Sequence, residues 1–191
     1  MRPDMKPKEA RERLERAGAE TERRSDGWRA RLGGGIAVYD GELSLVGNTD
    51  RLASVLTDGG GEATVEFDGA SRGNPGPAAA AYVIRDCDGF VKRDGDSIGE
   101  ATNNEAEYMA LLNGLVEARE LGYERVEAVG DSELVVKQVG GDWRCKADNL
   151  KPLCDEVVET AEAFDGFEIR HVPRETNTEA DETANRALDE R

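Results

Sequence analysis

At 191 residues the chain has room for one domain of ordinary size and a small second one, and no apolar run approaches the length that spans a bilayer. The formal charge of −16 comes from 41 acidic against 25 basic residues; residues 1–61 hold 11 of each sign, so residues 62–191 carry the whole imbalance. Such a surface excludes gripping a polyanion by bulk charge alone and suits a protein kept hydrated in strong brine, where the Debye length falls to about 3 Å at 1 M.

The amino terminus lacks the apolar core of a signal peptide, so the expected location is the cytoplasm, with no membrane and no protein partner evident. Pro7–Gly18 reads as a helix with Ala10, Leu14 and Ala17 on one stripe, closed by Gly18. Its arginines alternate with Glu9, Glu12 and Glu15, which favours a solvated face over a nucleic-acid grip. Short extended runs follow at Trp28–Leu32, Ile36–Tyr39 and Leu43–Val46, then a closing helix at Thr49–Leu56. Residues 1–56 therefore predict a small α-β-β-β-α accessory module, and the Gly-rich stretch 57–61 a linker.

From Glu62 a second domain begins. Ala63–Phe67, Ala78–Asp86 and Phe90–Ile98 predict an antiparallel meander, and Thr102–Leu121 a helix that stops at Gly122. Strand Arg125–Gly130, helices Asp131–Val139 and Ala147–Phe164, strand Phe167–Val172 and helix Thr176–Arg191 complete it. The order β-β-β-α-β-α-α-β-α implies an α/β fold, a mixed sheet with helices on its faces. Cys87, Cys145 and Cys154 lack CxxC or CxxH spacing and read as reduced thiols, with a Cys145 to Cys154 bridge left open.

Four acids stand where a core element expects something else. Asp68 follows a core strand, where a buried carboxylate needs a cation; beside Gly69 it could also simply start a turn. Counting back from Leu111, Gly114, Leu115 and Ala118 in steps of three and four lands on Glu107, which could alternatively be an ordinary first-turn glutamate. Asp131 closes a strand and opens a helix, a place where N-cap duty is usual. A right-handed crossover would nevertheless set its strand about 4.8 Å from that of Asp68. Asp181 shares a helical stripe with Ala184 and Leu188. Carboxylates so placed repel one another unless a cation neutralises them, and an all-oxygen set selects Mg²⁺ or Mn²⁺ over zinc. Two such ions can activate water and stabilise the leaving oxygen of a phosphodiester. His171, the sole histidine, is the one candidate proton shuttle, with a plain surface role as the alternative.

The segments DGASRGNPGPAA at 68–79, TNNEAEYMAL at 102–111, GDSELVV at 130–136 and VPRETNTEADETANRAL at 172–188 together resemble type 1 ribonuclease H in its short form, without a basic protrusion. The resemblance covers residues 62–191 and implies a ribonuclease H-like five-stranded mixed sheet in the order 3-2-1-4-5. It also implies metal-dependent hydrolysis of the RNA strand of RNA/DNA hybrids to 5′-phosphate and 3′-hydroxyl ends. The alternatives are a same-fold nuclease acting on double-stranded RNA and a non-catalytic nucleic-acid-binding module. The family's ligands for two ions fall on Asp68, Glu107, Asp131 and Asp181. Its substrate contacts fall on Asn74, on Thr102 as a DNA-phosphate ligand, and on Asn103 and Asn104; its loop histidine falls on His171. Two departures stand out: Glu133 occupies a position where the family often has glutamine, and residues 140–151 offer only Trp143, Arg144, Lys146 and Lys151 for holding a hybrid.

Overall fold

A computed structural model describes residues 6–56, 61–87 and 89–190. Residues 57–60 of the predicted linker lie outside that set, as does Arg191 at the end of the last predicted helix. In residues 6–56, α1 (Pro7–Arg16) precedes β1 (Glu20–Arg24), β2 (Gly27–Leu32), β3 (Gly35–Tyr39), β4 (Leu43–Gly47) and α2 (Asp50–Leu56). The strands form one antiparallel sheet in chain order, so the module has four strands where three are expected. The extra one, β1, reads ETERR and is exposed at every position; pairing with β2 defines it, and no alternation of apolar residues announces it. Ala10, Leu14, Trp28, Ala30, Leu32, Ala37, Leu52 and Leu56 pack into a core of their own.

The second sheet contains β5 (Glu62–Ser71), β6 (Gly76–Asp86), β7 (Gly89–Ala101), β8 (Arg125–Gly130) and β9 (Gly166–His171). Its spatial order is β7-β6-β5-β8-β9, which is the expected 3-2-1-4-5. The meander is antiparallel, whereas β8 and β9 run parallel to β5. Helix α3 (Asn103–Glu120) packs on β5 and β6, and the chain then forms α4 (Glu133–Val139), α5 (Lys151–Glu162), a 3₁₀ turn (Arg174–Thr176) and α6 (Thr178–Asp189). Val65, Phe67, Ile84, Tyr108, Leu111, Leu115, Val135 and Val157 are fully buried between these layers.

Three boundaries differ from expectation in ways that matter for the site. β5 continues through Asp68 to Ser71 and pairs Asp68 with Ala81, so this carboxylate lies inside a strand and does not start a turn. Helix α5 begins at Lys151, with Pro152 in its first turn. The final helix is preceded by a separate 3₁₀ turn, which brings Arg174 next to it. None of the three cysteines is in a disulfide among the described residues; the Tyr108 hydroxyl donates to Gln138 Oε1 at 2.7 Å. Among the described residues, no helix is long and apolar enough to cross a membrane.

Candidate active site

β5 and β8 lie side by side, with Glu66 paired to Val129 at the end of their shared ladder. Two residues further along each chain come Asp68 and Asp131, so the parallel register itself carries the two carboxylates to the same place. Asp131 is free to face the site because its neighbour caps the next helix: the Ser132 side chain accepts from the Val135 N–H. The N-cap duty expected of Asp131 thus falls to Ser132. Glu107 arrives from the first turns of α3, whose backbone rests directly on β5. A Cβ added at Gly69 would stand 2.2 Å from the Glu107 nitrogen, so no residue with a side chain fits there.

Carboxylate oxygens of Asp68, Glu107 and Asp131 all lie within 4.8 Å of one another. They line a cavity of about 420 Å³ together with Asp181, Arg174, Asn185 and Asn103. Asp181 stands apart from the trio. Its carboxylate is hydrogen-bonded to the Arg174 guanidinium, and Asn185 Nδ2 donates to its Oδ2 at 3.1 Å.

Burial and the repulsion of neighbouring acids control the charge of Asp68 and Glu107. Asp68 is 4% exposed; desolvation, then the charges of Asp131 and Asp181, push its carboxyl from an ordinary 3.8 up to about 8. Glu107, 5% exposed, is also held well above the usual carboxylate range, first by desolvation and then by Asp68 and Asp131. Arg174 opposes both shifts. Glu107 Oε2 is buried with no hydrogen-bond partner, a costly state for an acceptor of this kind. Hard oxygen donors, too close together to be charged at once and one of them unpaired, fit a divalent cation with oxygen ligands.

The other expected residues divide. Asn103 lines the cavity, and its N–H donates to Asn74 Oδ1 at 3.2 Å, tying the exposed β5–β6 turn to the start of α3. Asn104 is exposed on the first turn of the same helix. Thr102 is committed elsewhere: its Oγ1 accepts from the Glu105 N–H and donates to Glu105 Oε2 at 2.7 Å in a capping box. His171, exposed at the end of β9, places Nε2 3.1 Å from the Asp131 carbonyl. A carbonyl can only accept, so Nε2 carries the proton in this contact. Arg174 and Asn185 were not foreseen. Asn185 had a readable signal, four residues after Asp181 on one helix, whereas Arg174 reaches the site only through the 3₁₀ turn. Beyond the cavity, Trp143 is 47% exposed and Lys137 Nζ sits 5.3 Å from its ring centroid.

A mixed five-stranded sheet with carboxylates converging at the ends of its two central strands defines a nuclease of the ribonuclease H fold, and the family described as reverse transcriptase-like matches residues 66–187. A ribonuclease HI of Halobacterium salinarum is 46% identical over 167 residues, covering 85% of this chain and 84% of that protein. That span is longer than residues 62–191, so it includes part of the amino-terminal module. The crystal structure of ribonuclease H1 from the same halophilic archaeon superposes with a TM-score of 0.67 at 47% identity, over 69% of this chain and all of that one. LC11 ribonuclease H1, solved in complex with an RNA/DNA hybrid, superposes with a TM-score of 0.64 at 35% identity, over 67% of this chain and 97% of that one. The chain belongs to the ribonuclease HI family, type 1 ribonuclease H, and it is an enzyme of that class.

Proposed function

We propose that residues 62–191 form the catalytic domain of an endonuclease that hydrolyses the RNA strand of RNA/DNA hybrids, leaving 5′-phosphate and 3′-hydroxyl ends. The observation that carries this reading is the convergence of Asp68, Glu107 and Asp131 from three different elements to within 4.8 Å. Asp68, Glu107, Asp131 and Asp181 would hold two Mg²⁺ or Mn²⁺ ions. When bound, such ions activate a water and stabilise the departing oxygen of the phosphodiester.

The remaining work falls to the chain itself. Asp68 and Glu107, both buried, and the half-buried Asp131 line a concave site whose cations would meet the scissile phosphate. Arg174 offsets the negative charge of the site and holds Asp181 in place. Asn103 lines the cavity, and Asn104 and Asn74 are exposed beside it, where amides can bond ribose 2′-hydroxyls and base edges, the features that separate RNA from DNA. Thr102 meets a DNA phosphate only by sharing its hydroxyl with Glu105. With Nε2 on the Asp131 carbonyl, His171 has Nδ1 free to accept a proton at the margin of the site. Lys137 and Trp143 offer a cationic and stacking surface for the hybrid.

Residues 1–56 act as an accessory module joined through residues 57–61. With a net −16 on the rest of the chain, long-range attraction to the substrate is absent, so cleavage tolerates molar salt better than charge-driven binding does. The enzyme works in the cytoplasm.

Cleavage of matched RNA/DNA and RNA/RNA duplexes, labelled on each strand, with and without Mg²⁺, tests the reading. Metal-dependent cutting of the RNA strand in the hybrid alone is expected. Equal cutting of both duplexes would overturn the substrate assignment, and full activity of Asp68→Asn would overturn the site.

A further inference from the structure

Asn177 occupies the N-cap of α6, a position where asparagine normally bonds the free N–H groups of the first turn. Its side chain makes no such bond. Instead Nδ2 donates 2.9 Å to the carbonyl of Phe67, 110 positions away in sequence. Phe67 immediately precedes Asp68 and lies just past Glu66, the last β5 residue paired with β8. The residue is 1% exposed, and its Oδ1 has no partner among the described residues. A buried, half-satisfied amide costs stability in a core that an apolar side chain could fill.

Its backbone points the other way. The Asn177 carbonyl accepts from the Asp181 N–H at 3.1 Å, and the Asn177 N–H donates to the Arg174 carbonyl at 3.0 Å. Arg174 in turn holds the Asp181 carboxylate. One residue therefore connects the main chain at Asp68 to the main chain at Asp181. No strand register controls the separation of these two acids, since one belongs to β5 and the other to α6.

We propose that Asn177 is a positioning residue that sets the distance between Asp68 and Asp181, and with it the affinity for the cation that Asp181 holds. This rests on the reading of the four carboxylates as cation ligands. The side chain touches neither substrate nor ion. Its donor on the Phe67 carbonyl keeps the start of α6 against β5, whereas the ion pairs of Glu179 with Arg85 and Arg93 tie the same turn to β6 and β7 and not to the strand that carries Asp68.

The test uses the full chain and the variants Asn177→Ala and Asn177→Ser, the second retaining a short donor. Mn²⁺ binding is titrated by calorimetry without nucleic acid, well below the unfolding temperature of each variant, and kcat and KM for the hybrid are measured in parallel. In Asn177→Ala the weaker of the two Mn²⁺ constants is expected to loosen by about tenfold or more, as for other residues that orient ligands from behind. KM should stay near the parent value, and Asn177→Ser should fall between the two. If Asn177→Ala does not fold, Asn177→Ser decides the question by the same loosening. Parental Mn²⁺ constants in whichever variant is folded, with only the unfolding temperature lowered, would mean that Asn177 merely stabilises the fold and would overturn the proposal. Asp68→Asn separates this from the underlying reading: unchanged Mn²⁺ binding in that variant sinks the carboxylate site itself, whereas lost binding there with unchanged binding in the folded Asn177 variant sinks only the positioning role.

Discussion

The crowding of acids makes the metal-free protein weaker as the pH rises, and Asp68→Asn measures by how much. In the unfolded chain Asp68 releases its proton near 3.8, and in the folded protein near 8, chiefly because it is buried and then because Asp131 and Asp181 are close. Between those values the folded state binds a proton that the unfolded state does not. The sign follows: the contribution of this group is fully present below about pH 4 and is lost as pH climbs through 8. At about 1.4 kcal/mol for each pH unit, moving from pH 5 to pH 8 removes up to about 4 kcal/mol, a large part of the 5–15 kcal/mol that holds a domain together. Glu107 acts in the same direction. Urea unfolding in the presence of a chelator at pH 5 and pH 8 reads the effect as a falling midpoint with unchanged slope. In Asp68→Asn the fall should shrink sharply, leaving the variant more stable than the parent at pH 8. Saturating Mg²⁺ should restore the parent at pH 8 and do little for the variant. A parent midpoint that is the same at both pH values without metal would refute the reasoning.

Other outcomes follow from single contacts. Gly69→Ala puts a methyl group 2.2 Å from the Glu107 nitrogen, so α3 must shift; a loss of about 1–3 kcal/mol in chemical denaturation is expected, with activity falling about a hundredfold as Glu107 moves. Ser132→Ala removes the cap on α4 and should cost about 1 kcal/mol, read as a melting temperature lower by about 2–4 °C. Arg174→Ala withdraws the cation that opposes protonation of Asp68 and Glu107. The pH–rate profile in limiting Mg²⁺ should therefore move to higher pH, and Arg174→Lys should return part of the shift.

Helical and strand periodicity carried much of the site. Glu107 was legible because four small or apolar residues behind it define a stripe, and Asp131 because a right-handed crossover sets its strand beside that of Asp68. What stayed hidden depends on contacts between distant segments. Gly69 next to Asp68 looks like a turn signal, yet it serves a helix more than thirty residues later that needs bare backbone to rest on. Strand β1 is polar at every position and exists only through its neighbour β2. Arg174 lies in a stretch without periodicity, and only the 3₁₀ turn brings it to Asp181. At Thr102 the structure adds an engagement of another kind. The pattern Thr102-x-x-Glu105 marks a capping box in the sequence itself, and the hydroxyl's prior engagement could have been read from it.

Because α3 lies on naked main chain at Gly69, nothing deformable separates the helix from the strand beneath it. The backbone spacing between Asp68 and Glu107 is consequently set by peptide groups in contact. Any change in their separation must come from the carboxylate rotamers or from a shift of the whole helix.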